Sequence, residues 1–154
     1  MTKLLATVGI VALLGGCGQL FSWNASGIPD ALDKENPILT AGTRLGIKLS
    51  LGGNGRSWHE GALETERHFH ATLSSGTRGQ LVAAYQAEVK RTIERQGGTI
   101  NGSSTSDTAG ESSNLSGFSY DYAWRRNMGI VRVYSFDGSD GAVEVISLCY
   151  EHRK

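Results

Sequence analysis

The sequence predicts an α+β domain over residues 43–154: a mostly antiparallel sheet of about five to six strands with one long helix packed on one face, in the order ββαββββ. Three observations carry this prediction. Apolar residues alternate with polar ones at period two in several stretches, the mark of strands. In one stretch they recur at helical spacing. Glycine, at 21 residues, clusters between the stretches where turns are needed.

The elements follow in order. Leu45, Ile47, Leu49 and Leu51 alternate with Arg44, Gly46, Lys48 and Ser50, which gives a strand with one buried face. Gly52-Gly53-Asn54-Gly55 then reads as a turn. A second strand spans 61–74, with Leu63, Thr65, Arg67, Phe69, Ala71 and Leu73 on one side and Glu64, Glu66, His68 and His70 on the other. The helix spans 78–96. Thr77 and Gln80 fit a capping box, Val82, Tyr85, Val89 and Ile93 form its apolar stripe, and Gly97-Gly98 stops it. A short strand at 99–104 and a polar loop at 104–114 come next. Three strands close the chain: one with alternating Phe118, Tyr120, Tyr122 and Trp124, one at 129–136 and one at 142–152, with turns at 126–128 and 137–141.

The residues before this domain read as a targeting segment and a tether. Lys3 precedes an apolar run from Leu4 to Leu14, too short to span a bilayer and without a polar face. Leu14-Gly15-Gly16-Cys17 follows, and this resembles the lipobox of bacterial lipoproteins. The resemblance covers residues 1–17 only. It implies a signal peptide at 1–16, a covalent lipid (diacylglycerol, with further acylation such as palmitate) on Cys17, and a place in the bacterial cell envelope facing the periplasm. Gly18 stands where Asp retains such proteins at the inner membrane, so the resemblance favours the outer membrane. Two or three acyl chains make an anchor of this kind effectively permanent, whereas one binds only marginally. Residues 17–42 hold Pro29, Pro37 and a mixed charge group, and read as the lipidated cysteine and a flexible tether. The domain at 43–154 resembles no family.

Composition bounds the function. The chain has 15 basic and 15 acidic residues, and losing residues 1–16 removes only Lys3. Such a balance gives no electrostatic footprint for nucleic acid and no polybasic patch for lipid. Phosphate loops, dinucleotide fingerprints, paired Cys-x-x-Cys motifs and Gly-x-Ser-x-Gly elbows are absent from the sequence.

Three constellations remain. Glu66, His68 and His70 share a strand face and are ligand types for zinc-like ions, although a strand's wet face also holds such residues. Cys149 has no partner if Cys17 is lipidated, and a buried free thiol is the plainer reading than a nucleophile. His152 differs from it by three positions and faces the other way. The last two strands are apolar on both faces, which one helix cannot cover. Either the first strand or the tether folds back as a second layer, or Tyr134, Phe136, Ile146, Leu148 and Tyr150, with Ile130 on the same face, stay exposed as a partner surface. Arg125, Arg126, Arg132, Arg153 and Lys154 read as solvated charges near a turn. The resulting expectation is an envelope lipoprotein that binds, assembles or supports without catalysis and without a cofactor beyond its lipid, meeting the membrane through its anchor and an envelope protein through its domain. A metal-dependent or thiol enzyme of the envelope is one alternative, and a glycan or peptidoglycan binder is another.

Overall fold

The computed structural model describes residues 27–73, 75–108, 115–137 and 142–153. Its elements are α1 (Ile28–Glu35), α2 (Pro37–Arg44), β1 (Leu49–His59), β2 (Ala62–Thr72), α3 (Ser75–Arg95), β3 (Thr99–Thr108), β4 (Leu115–Trp124), β5 (Asn127–Asp137) and β6 (Ala142–His152). The strands form one six-stranded sheet in the order β1-β2-β6-β5-β4-β3. Every neighbouring pair is antiparallel. The α+β class and the ββαββββ run from β1 to β6 therefore stand, but the helical layer holds three helices rather than one long helix.

The additional helices replace most of the expected tether. Pro29 lies in the first turn of α1 and Pro37 opens α2. At those positions the missing N–H is one the helix leaves unpaired anyway. Asn36 separates the two helices with φ 48°. Ile28, Leu32, Ile38 and Ala41 are buried with the rest of the core. Helices of two turns are marginal alone, so packing against α3 and the sheet holds them. Gly46, with φ 69°, then ends the helical run.

β1 starts and ends later than the alternation at 45–51 implied. Gly52 to Gly55 continue the strand, with a bulge between Leu51 and Gly53, where a turn was expected. The real turn is Glu60-Gly61, both with positive φ (48° and 81°). Two such residues make the mirror-image turn whose twist suits a tight hairpin. β3 likewise runs past Ser104 into the expected polar loop. Its small hydroxyl residues suit an exposed edge, and Ser104 and Ser119 hydrogen-bond across the β3–β4 pair at 2.8 Å. Residues 109–114 and 138–141 lie outside the described residues.

The core lies between the helices and one sheet face. α3 contributes Leu81, Val82, Tyr85, Val89 and Ile93. Gly97 closes its end with φ 78°, and Gly98 N–H donates to the Ile93 carbonyl at 2.9 Å. Phe69, Phe118, Tyr122, Trp124, Val131, Val133, Val143, Val145 and Cys149 meet the helices from below. The Tyr85 ring stands edge-on to Phe118, with centroids 5.6 Å apart, and its hydroxyl donates to Ser147 Oγ at 2.8 Å. Burial pushes the Tyr85 phenol up to about 12.

Candidate functional site: the open sheet face

Strand period places alternate residues on the face opposite the helices. Register then aligns them into rows. Glu64, Tyr150 and Ile130 form one row; Glu66, Leu148 and Arg132 the next; His68, Ile146 and Tyr134 the third; and His70, Glu144 and Phe136 the fourth. All three helices pack on the other side, and none of these residues belongs to the buried core. Ile130, Tyr134, Phe136, Ile146 and Leu148 are half-buried by their neighbours, and Tyr150 is 42 % exposed. The expected surface of Tyr134, Phe136, Ile146, Leu148 and Tyr150 is thus one contiguous stripe down the middle of the sheet. Across its β5–β6 seam, Glu64, Ile130, Arg132, Leu148 and Tyr150 line a concavity of about 320 Å³.

Ile130 shares the strand face read from the sequence with Tyr134 and Phe136, whereas Arg132 and Glu64 had no place in that surface. The signal was available: Ile130 and Arg132 precede Tyr134 and Phe136 at strand period. Register across three strands, which a single strand's pattern cannot supply, is what joins them. The stripe is apolar in the centre, carboxylate and imidazole along β2, and cationic at Arg132. Such a face suits a partner that presents apolar groups within a polar rim.

The candidate metal ligands sit on the same face without converging. His68 Nε2 and Glu66 Oε1 are 2.6 Å apart, while His70 Nδ1 faces Glu144 Oε1 at 3.4 Å. These are separate His–carboxylate pairs. Among the described residues no group of three His, Cys, Asp or Glu side chains is placed to hold one metal ion. Glu66, His68 and His70 instead border a hollow over the bulged glycines of β1.

Cys149 lies on the helix side and is 3 % exposed. Its Sγ is 3.7 Å from Tyr122 Oη. Burial pushes the thiol well above its usual value, against the Tyr122 hydrogen bond. That is the opposite of what a nucleophile needs. His152 is exposed on the far side of the strand. The pair cannot act together.

A site of a different kind was missed altogether. Glu151 is fully buried, yet both carboxylate oxygens are occupied. Oε2 accepts from the Ile28 N–H at 3.2 Å and from the Tyr122 hydroxyl at 3.1 Å. Oε1 accepts from Asn127 Nδ2 at 3.3 Å and Arg153 Nε at 3.1 Å. The carboxylate therefore meets the positive end of α1 and an arginine at once. Burial and the neighbouring Cys149 and Glu151 raise the Tyr122 phenol far above its usual range, which keeps its proton on the oxygen as donor. The sequence signal was a Glu sharing the core face with Val143, Val145 and Cys149. Arg153 also reaches Asp30 Oδ2 at 3.5 Å, and Arg56 reaches Asp30 Oδ1 at 2.6 Å. This network holds α1 against the ends of β1 and β6. Cys17 lies outside the described residues.

No protein-family model matches the chain, and no curated protein matches it. Some solved structures are similar to it. One is a Pseudomonas aeruginosa protein of unknown function, proposed to be a regulator, at 14 % identity and TM-score 0.37, covering 66 % of this chain and 69 % of that one. A thioesterase family protein from Silicibacter pomeroyi has 8 % identity and TM-score 0.29, covering 81 % and 97 %. A proposed thioesterase from Shewanella oneidensis has 7 % identity and TM-score 0.25, covering 82 % and 97 %.

Proposed function

We propose that this protein is a lipid-anchored accessory of the bacterial envelope, on the outer membrane, that binds a protein partner through the open face of its sheet. The observation that carries the reading is the apolar stripe of Ile130, Tyr134, Ile146, Leu148 and Tyr150, which among the described residues no helix covers, opposite the helix-packed face. Residues that serve only to fill a core would be under the helices, and these are not. Contiguous apolar area of this kind marks a recognition surface. Leu14-Gly15-Gly16-Cys17 supports the address.

Site-specific substitution tests this reading. Ile146→Glu and Tyr134→Glu place charge on the stripe without entering the core. Each is expected to leave unfolding within about 1 kcal/mol of the parent, as for surface changes, and to abolish co-purification of the partner from native membranes. Unfolding of both variants, or an unchanged partner, would overturn it.

A further inference from the structure

The chain from Cys17 enters the fold at one particular end of the sheet. Gly27 N–H donates to Asp30 Oδ2 at 3.4 Å, and Ile28 N–H donates to Glu151 near the end of β6. Arg153 N–H, just beyond β6, donates to the Gly61 carbonyl in the β1–β2 turn at 2.9 Å. Asn127, the first residue after the β4–β5 turn, holds the same Glu151 carboxylate. The start of α1, both hairpin turns and the end of β6 therefore meet in one place. Thr72 and Ala142 mark the opposite end.

The turn end has its own surface chemistry. Arg125 and Arg126 form the exposed β4–β5 turn, and the Arg125 guanidinium lies 4.4 Å from the Trp124 ring centroid. Met128, just after the turn, is 60 % exposed, while Trp58 at the β1 edge of the same end has the Arg153 guanidinium 5.1 Å from its ring centroid. Trp124 itself is buried, its indole N–H donating to the Gln96 carbonyl at 2.8 Å, so the exposed chemistry of the turn is its two adjacent guanidiniums. These suit a headgroup layer, where Arg grips phosphate bidentately.

We propose that this turn end faces the membrane, with Arg125 and Arg126 on the phosphates of anionic lipids. The proposal rests on lipidation of Cys17. Residues 18–26 separate Cys17 from Gly27, and this connection reaches roughly 35 Å when fully extended. The strands themselves are of similar length, about 35 Å. The domain is thus held within its own length of the bilayer, by the end that carries the two arginines. Attraction to an anionic surface fades within about 8 Å at physiological salt, so the end nearest the anchor is the one that feels it. Neutrality of the whole chain does not oppose this, because the two arginines occupy one turn, while the exposed Glu60 belongs to the separate β1–β2 turn at the sheet's other edge. The open sheet face runs along the side of the domain and stays available in this orientation.

Orientation in a bilayer tests the proposal. Full-length lipidated protein carrying His59→Cys (turn end) or Thr72→Cys (far end) is labelled with a fluorophore and reconstituted into phosphatidylcholine vesicles with and without phosphatidylglycerol. Headgroup spin-labelled lipid serves as quencher. The His59 label is expected to be quenched and the Thr72 label not. Phosphatidylglycerol should raise occupancy of the contact about fivefold per arginine, and high salt or Arg125→Glu with Arg126→Glu should remove that increment. Equal quenching at both labels, or no response to phosphatidylglycerol, overturns the proposal. Vesicle flotation separates the causes. If flotation requires Cys17 and its peptide carries the lipid mass, a failure concerns the orientation alone. If Cys17→Ser floats equally well, the anchor and the orientation fall together.

Discussion

At the residue scale, Glu151 does the most unusual work. It is a carboxylate without exposed surface that joins the first turn of α1 to the end of β6. Removing one member of a buried charge pair strands the other, at a cost of about 3–5 kcal/mol. Glu151→Ala removes the buried carboxylate on which Arg153, Asn127, the Tyr122 hydroxyl and the Ile28 N–H converge. Denaturant unfolding is expected to show a loss of that size, whereas Glu64→Ala, on the open face, should lie within about 0.5 kcal/mol of the parent. Cys149 offers a second check. Its thiol is buried and held protonated, so in the Cys17→Ser protein an aromatic disulfide reagent should modify it only upon unfolding. Rapid modification of the folded protein would show a thiol more accessible than the structure places it. The sequence pattern put Cys149 inside correctly, because Val145, Ser147 and Cys149 alternate with the open-face residues. It could not assign Glu151, because a lone carboxylate in a strand looks the same whether it points at water or at a helix start.

At the element scale, the link between α1 and α3 is electrostatic. Thr92 Oγ1 donates to Glu35 Oε2 at 2.6 Å, Arg95 pairs with the same oxygen, and Gln96 Nε2 donates to Oε1 at 3.4 Å. Partial burial works against the charge, but the hydrogen bonds from Thr92 and Arg95 hold the Glu35 carboxyl below its ordinary 4.5. A carboxylate lowered in this way stabilises the fold at neutral pH, and its contribution is lost as pH falls from 4.5 through the folded value. Asp33 behaves with the opposite sign. Burial raises it despite Arg67 beside it at 2.8 Å, so its term favours the fold at low pH and is lost as pH rises. Glu35→Gln should therefore flatten the acid limb of stability between pH 5 and 3, read by thermal unfolding across pH, roughly the window in which such carboxylates titrate. An unchanged acid limb would place the sensitivity elsewhere. The Glu60-Gly61 turn gives a backbone test. Gly61→Val puts a β-branched residue at φ 81° and is expected to cost about 1–3 kcal/mol.

These two cases also show what element-level reading reaches. α3 was legible because its stripe of Val82, Tyr85, Val89 and Ile93 runs for several turns, and Gly97-Gly98 ends it. β2, β4, β5 and β6 were legible because alternation persists along each of them. α1 and α2 were not, since two turns are too short for periodicity to stand out and their stability comes from packing. Pro29 and Pro37 pointed to a tether by composition, while in position they are helix starters. The Gly52–Gly55 run pointed to a turn, yet pairing with β2 draws it into the sheet. Glu60-Gly61 held the true turn signal, and positive φ at both residues makes it one.

At the scale of the whole molecule, helices pack on one sheet face, and among the described residues the other is left as an apolar stripe with a polar border. This asymmetry follows from counting layers: a helical layer covers one face of a sheet, while β5 and β6 carry apolar residues on both. The sequence made that imbalance visible, but which face stays open depends on where α1 and α2 pack, and they were read as tether. Their folding also leaves only residues 18–26 between Cys17 and the described domain, so under the proposed lipidation the domain is held closer to the membrane than a tether of residues 17–42 would hold it. One measurement tests the proposed partner surface most directly. A photo-crosslinking residue is placed at Leu148 on the stripe, and in a parallel protein at Ala83 on the exposed surface of α3. Both lipidated proteins are illuminated in native envelope membranes. A discrete protein adduct is expected from Leu148, lost when Tyr134→Glu is added, and no such adduct from Ala83. An adduct from Ala83 alone, or none from either position, would contradict it.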